Sequence, residues 1–211
     1  MKYFGISNAD RIDEIGFYPQ TNFISGQESH QSNASDQETP LISGHIEINH
    51  NAIPTNFLDR SSISIGIIVD SKLKGIIENH NLPPHKFQQI KTTYHGKELE
   101  YYWLTFISNT RRYIDFSRSK FKIITISNFK ELGELELTSI EFKNRISNAL
   151  SFEHSLVIKA IYLKGNFPQY DIMDLDKITP GIFVSDRLLS NLKEAGMTGF
   201  VATEYKPIIT E

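Results

Sequence analysis

The sequence predicts an α+β protein forming a single compact body, in which two related strand–helix–strand units are joined by a central strand and helix. Three observations carry that prediction. A strand-then-helix segment starting at Gly66 is echoed, residue type by residue type, by one starting at Gly181. Several stretches, 98–107 above all, alternate with the two-residue period of a strand. The 211 residues, 39% apolar and 22% charged, have the make-up of an ordinary globular chain with core enough for one domain or two small ones.

The elements follow in order. Tyr3, Phe4 and Ile6 around Gly5 predict an opening strand. From Gly26 to Pro40 the only apolar side chain is Ala34, so burial cannot offset the entropy of ordering, and a flexible loop is expected over 26–40. Order resumes near Leu41, where Ile46 and Ile48 alternate with His45, Glu47 and Asn49. The first unit (about 65–107) lies in an N-terminal half, 1–108; the second (about 180–204) closes a C-terminal half, 109–211. In the first, Gly66-Ile67-Ile68-Val69 runs into Asp70; in the second, Gly181-Ile182-Phe183-Val184 runs into Ser185. A side-chain oxygen at that position can accept from the free N–H groups of a new helix. The helices then show apolar faces at Leu73, Ile76 and Ile77, and at Leu188, Leu189, Leu192 and Ala195. Gly196 suits a left-handed closing residue, and Asn81 stands at the matching position.

Each unit continues into strand. After the first come Phe87–Thr93, a turn at His95-Gly96, and Glu98–Ile107, with Tyr101, Trp103, Thr105 and Ile107 on one face and Tyr102, Leu104 and Phe106 on the other. Apolar groups on both faces predict a strand covered on both sides. After the second comes Thr198–Thr203. Between the units the pattern predicts a strand over Arg112–Ile126, a helix over Ser139–Leu150 and a strand over Leu156–Leu163. Thr138 and Glu141 stand at capping-box spacing before that helix. No Pro- or Gly-rich linker divides the halves.

Composition excludes several chemistries. With no cysteine there is no disulfide framework, thiol nucleophile or thiolate metal site. A net charge of -3 does not fit a basic nucleic-acid binder, and no direct nucleic-acid contact is expected. The densest apolar run, Ile63–Val69, falls far short of the roughly 20 residues that span a bilayer, and the N-terminal stretch lacks a signal-peptide core. A cytoplasmic protein without membrane contact is the expectation. The phosphate-loop, dinucleotide, zinc-helix and nucleophile-elbow patterns are missing. The seven histidines are spaced as loop residues rather than ligands, so no metal, cofactor or catalytic residue is expected. The rival readings are a small enzyme whose site leaves no linear motif, and an adaptor for another partner.

Charge is unevenly spread. Arg111 and Arg112 beside Tyr113 open a basic run through Arg118, Lys120 and Lys122, and Glu131, Glu134, Glu136 and Glu141 follow. Asp171, Asp174 and Asp176 form a second acidic cluster, read as exposed acids leading into the second unit. Arg111, Arg112, Tyr113, Glu131, Glu134, Glu136, Asp171, Asp174 and Asp176 are the candidate partner-binding residues, with Tyr18–Phe23 as a further aromatic region. Aromatic and arginine side chains anchor protein interfaces, and acids meet basic partners.

The stretch Ile182-Phe183-Val184-Ser185-Asp186-Arg187-Leu188, then Leu192 and Ala195-Gly196-Met197-Thr198-Gly199-Phe200, resembles the C-terminal signature of a large α+β family of bacterial immunity proteins. That family was first catalogued as a domain of unknown function and then assigned to polymorphic-toxin systems. Ile114-Asp115-Phe116 with Ser119 and Phe121, and Tyr101-Tyr102 to Phe106, resemble its middle portion. The resemblance spans roughly Ile65 to Thr203 and leaves the first 60 residues almost untouched. It implies a non-enzymatic cytoplasmic protein whose partner is a cognate toxin C-terminal domain, blocked by binding. It supplies no catalytic residue.

Overall fold

A computed structural model describes residues 1–26, 44–59, 66–107, 110–150, 152–175, 178–179 and 181–210, apart from the side chains of Phe142, Arg145, Ser147 and Ala149. Beyond its first residue, the loop expected at 26–40 lies outside the described residues, as does Asp176. In chain order the elements begin with β1 (Tyr3–Asn8), the single turn α1 (Ile12–Ile15), β2 (Thr21–Gly26), β3 (Gly44–Ile48) and β4 (Phe57–Leu58). The first unit follows as β5 (Ile67–Asp70), α2 (Ser71–Glu78), β6 (His85–Tyr94) and β7 (Lys97–Phe106). A 3-10 turn at Thr110–Tyr113 leads to β8 (Ile114–Thr125), β9 (Glu131–Leu135), α3 (Ile140–Ala149) and β10 (His154–Leu163). The chain closes with β11 (Ile172–Asp174), β12 (Ile182–Ser185), α4 (Asp186–Glu194), β13 (Phe200–Glu204) and β14 (Ile208–Ile209).

The strands form three sheets, in the orders β2-β3-β6-β7-β5-β4, β11-β12-β1-β13 and β14-β10-β8-β9. The α+β class stands. The central stretch is more than a link: β8 and β10 found the third sheet, with a core of Ile114, Phe121, Ile161 and Leu163 against Tyr3 and Phe183.

The two strand-then-helix segments fold as their residues require. Asp70 Oδ1 accepts from the Leu73 N–H at 2.8 Å, and Ser185 Oγ accepts from the Leu188 N–H at 3.1 Å. Each bond satisfies one of the donors a helix start leaves open. Strands β5 and β6 flank β7 and run antiparallel to it, and β12 and β13 flank β1 the same way. Gly196 closes α4 with φ 65, as expected. Asn81 does not close α2. That helix ends at Asn79, φ -83, and the Asn81 side chain donates to the Pro168 carbonyl at 2.6 Å instead.

Strand β7 is covered on both faces. Tyr101 and Trp103 pack with Ile46, Ile48 and Ile68, whereas Leu104 and Tyr102 pack on the α2 and α4 side. It ends at Phe106, leaving Ile107 exposed where a last strand residue was expected. His95 and Gly96, both at positive φ, make the β6–β7 turn. Helix α3 starts one residue later than the Thr138 box implies. Ser139 precedes it, and the Glu141 carboxyl is held low by its own backbone N–H and then by the Ser139 hydroxyl.

Helices α2 and α4 press Leu73, Ile77, Leu188 and Leu192 into one core with Val69 and Val184. Leu192 is buried there, and Leu192→Ala should cost about 2–5 kcal/mol through lost transfer energy and the cavity left behind. Urea unfolding reads this directly; an unmoved midpoint would take Leu192 out of the core.

Candidate partner-binding surfaces

The acidic cluster divides sharply. Asp171 immediately precedes β11, where its backbone N–H donates to the Asn81 carbonyl at 2.7 Å and its carbonyl accepts from the Ser185 N–H at 2.8 Å. Those bonds pin the residue beneath the start of α4, and its side chain is 0% exposed. The carboxylate is saturated. Oδ1 accepts from Ser185 Oγ at 2.6 Å and Arg187 Nε at 3.0 Å, and Oδ2 from the Asn81 N–H at 2.9 Å and from Arg187 Nη2. Burial pushes the carboxyl's pKa up, but the bonds from Arg187, Ser185 and Asn81 outweigh it and hold the pKa below the usual value. The expectation of an exposed acid is therefore corrected: Asp171 is an interior clasp between the segment that follows α2 and the start of α4.

Ser185 is buried too, its proton on Asp171 and its lone pair on Leu188 N–H. A hydroxyl so placed is an orienting group and not a nucleophile. Asp174, in β11, is half-buried and stands opposite Ile182.

The basic run is likewise partly structural. Arg112 is exposed, lies over the Tyr113 ring with its guanidinium 4.7 Å from the centroid, and donates to the Tyr113 hydroxyl at 2.7 Å. Tyr113 is half-buried, edge-on to Phe167 at 5.7 Å and Tyr170 at 6.3 Å. Arg111 is half-buried and favours the ionised Glu141 carboxylate. Tyr170 adjoins both groups, since Arg112 and Tyr113 perturb its hydroxyl and Asp171 is its chain neighbour. The structure thus gathers Arg112 and Tyr113 with Phe167 and Tyr170 in one aromatic cluster.

Glu131 and Glu134 lie apart from these, on β9. There Lys122 pairs with Glu131 at 3.0 Å and Lys159 pairs with Glu134, which holds the Glu134 carboxyl low. Glu136, just beyond the strand, is exposed. In the Tyr18–Phe23 region Tyr18 is exposed, but Phe23 packs against the cluster of Ile46 and Trp103. Ile12, Phe17 and Ile53, exposed beside Tyr18, carried no signal in the sequence beyond being apolar.

Among the described residues no three histidine, aspartate or glutamate side chains converge as a metal set. His80 sits between the Ile76 carbonyl, at 2.8 Å, and the Asn191 amide, at 3.1 Å; His45 bonds Thr93 at 2.9 Å. A cavity of about 320 Å³ on the β6–β7 hairpin is lined by Gln89, Ile90, Lys91, Thr92, Glu98 and Leu99. Its carboxylate, Glu98, faces Lys91 at 3.8 Å, and the lining holds no histidine to act as a base. No described helix is long and apolar enough to cross a membrane.

These features define a mixed α+β protein whose best-formed polar cluster serves its own packing and whose described candidate contact residues lie on a 3-10 turn, on or just past β9, and in β11. The chain belongs to the Immunity protein family (Imm11), whose model matches residues 17–206. The match begins well before Ile65, so the family extends across β2, β3 and β4, where the sequence offered no resemblance. A comparison with curated proteins gave no match.

Proposed function

We propose that this protein neutralises a cognate toxin C-terminal domain of a bacterial polymorphic-toxin system by binding it in the cytoplasm and covering its active site, without catalysis and without a cofactor. The observation that carries the reading is membership of an immunity family across almost the whole chain. Residues 1–211 act in it as one immunity-type domain, and the strand–cap–helix segments at β5–α2 and β12–α4 are copies of one unit. Their matching caps and buried helix faces support that relation.

A stoichiometric inhibitor of this kind needs about 800 Å² of contact per partner or more, and a Kd near nanomolar, about −12 kcal/mol. Arg111, Arg112, Tyr113, Glu131, Glu134, Glu136, Asp174 and Asp176 remain candidates for that contact. Asp171, being interior, supports the surface from below.

The test is co-expression with the cognate toxin C-terminal domain, which this reading expects to be encoded immediately upstream of this chain. Full-length protein should restore growth and form an equimolar complex on gel filtration. Continued killing at equal expression would refute the reading.

A further inference from the structure

Four apolar side chains stand exposed at one end of the third sheet: Ile126 at 49%, Phe129 at 76%, Leu132 at 51%, and Phe152 fully. Backbone bonds gather them. The Thr125 N–H donates to the Lys130 carbonyl at 2.8 Å and closes the β8–β9 turn, and the Ile126 N–H donates to the Glu153 carbonyl at 2.8 Å, drawing Phe152 alongside. Exposed apolar side chains are ordinary singly, but clustered they mark contact surfaces.

Two positions in this patch also depart from what the fold alone asks. Phe129 sits at φ 56, a left-handed conformation that glycine or asparagine adopts with less strain, and Asn128 beside it is left to bond the Lys130 N–H at 3.0 Å. Gly133, in the middle of β9, needs no glycine: its φ is ordinary and an added Cβ would meet nothing within 4 Å. A glycine inside a strand weakens it and often marks a close approach by another backbone. Local choices that work against the fold concentrate at functional sites.

Strand β9 is also open. Among the described residues it pairs only with β8, so its outer row of N–H and C=O groups faces away from the sheet. Its register shift falls at Leu132, leaving Gly133–Leu135 in regular pairing.

We infer that an extended strand of the toxin domain docks edge to edge along Gly133–Leu135, gripped by Phe129, Leu132, Ile126 and Phe152. The inference rests on the toxin-binding reading above and names its surface. An open row of backbone groups is matched by another strand. Its charge bears on which strand: Lys122 and Lys159 already answer Glu131 and Glu134, which leaves the exposed Glu136, just past β9, to meet a lysine or arginine of the incoming strand.

Phe129→Gly and Gly133→Val in the full-length protein test this against the upstream-encoded toxin domain carrying an inactivating substitution. Both variants should melt at or above the wild-type temperature, because each relieves a local cost, yet each should weaken binding at least about tenfold, the range of an interface anchor. Hydrogen exchange should show the outward-facing amides of Gly133–Leu135, those not bonded to β8, protected only in the complex. Variants that bind within about twofold of wild type, protection confined to other strands, or a free protein that dimerises through β9 in sedimentation would each overturn the docking site while the inhibitor reading stands. Wild-type protein that fails to bind the toxin domain would overturn both.

Discussion

Asp171→Asn should lose about 3 kcal/mol of stability at neutral pH, the scale of removing one partner from a buried charged network. The figure follows from what is left behind. An amide keeps one acceptor oxygen, but its NH2 must face donors, Arg187 and either Ser185 Oγ–H or the Asn81 N–H, in an interior that water does not reach. Removing Arg187 should cost a comparable amount, because the buried carboxylate would keep the Ser185 and Asn81 donors but lose its counter-charge. Ser185→Ala should cost less, losing the α4 cap, about 1 kcal/mol, and one donor to the carboxylate.

The pH dependence follows from the lowered folded-state pKa of Asp171. A carboxylate held below its unfolded value, about 3.9, stabilises the fold fully above that value, and the contribution fades as pH falls toward the folded one. Wild type should therefore weaken on going from pH 5 to pH 3, and Asp171→Asn should weaken less over the same interval. Urea titrations at the two pH values measure both effects. Equal midpoints for the two proteins at pH 7 would show that the clasp adds nothing.

Gly199→Ala should cost at least about 4 kcal/mol, the range reserved for strain at a special backbone position or a clash that cannot relax. Gly199 lies at φ 94, and a Cβ there would stand 2.0 Å from the Phe57 carbonyl oxygen and 2.5 Å from Thr55 Oγ1. The backbone cannot move aside cheaply. The Gly199 carbonyl accepts from the Ala9 N–H at 3.0 Å, its N–H donates to Glu14 Oε1 at 2.6 Å, and the neighbouring Thr198 carbonyl accepts from the Phe57 N–H at 3.0 Å. Thr198 and Gly199 thus tie α1, β4 and the chain just past β1 to the start of β13. Gly75, inside α2 with nothing near its Cβ position, is the matched control; Gly75→Ala should stabilise by about 0.5–1 kcal/mol. A Gly199→Ala protein as stable as wild type would mean that this crossing is loose.

What the sequence revealed was local. The Asp70 and Ser185 caps, the Leu73–Ile77 and Leu188–Leu192 faces and the two-faced β7 were readable because each depends on neighbours within a few residues. The third sheet was only half readable. β8 and β10 show long apolar alternation, but β9 reads Glu-Leu-Gly-Glu-Leu, indistinguishable from polar loop, and β14 is two residues long. The Asp171 clasp was misread because the other acids in the cluster are sequence neighbours, whereas its true partners, Ser185, Arg187 and Asn81, lie 14, 16 and 90 positions away. No periodicity encodes such a pairing. The same holds for the β9 edge: Phe129, Leu132 and Phe152 are unremarkable as letters, and become a patch only when a turn and a strand end bring them together.

The position of β1 between β12 and β13 sets a timetable. Phe4 stands opposite Val184 on one side and Glu204 on the other, so this strand has no place in its sheet until partners about 180 and 200 residues later leave the ribosome. At about 5–20 residues per second, that is a wait of roughly 10–40 seconds. Throughout it Tyr3 and Phe4 have no finished core to enter, and a chain cut short before β12 leaves β1 without either neighbour. A cell relying on this fold thus gets its benefit only from chains that extend through β12 and β13. Premature termination should produce an aggregation-prone fragment in place of a weakened version of the whole.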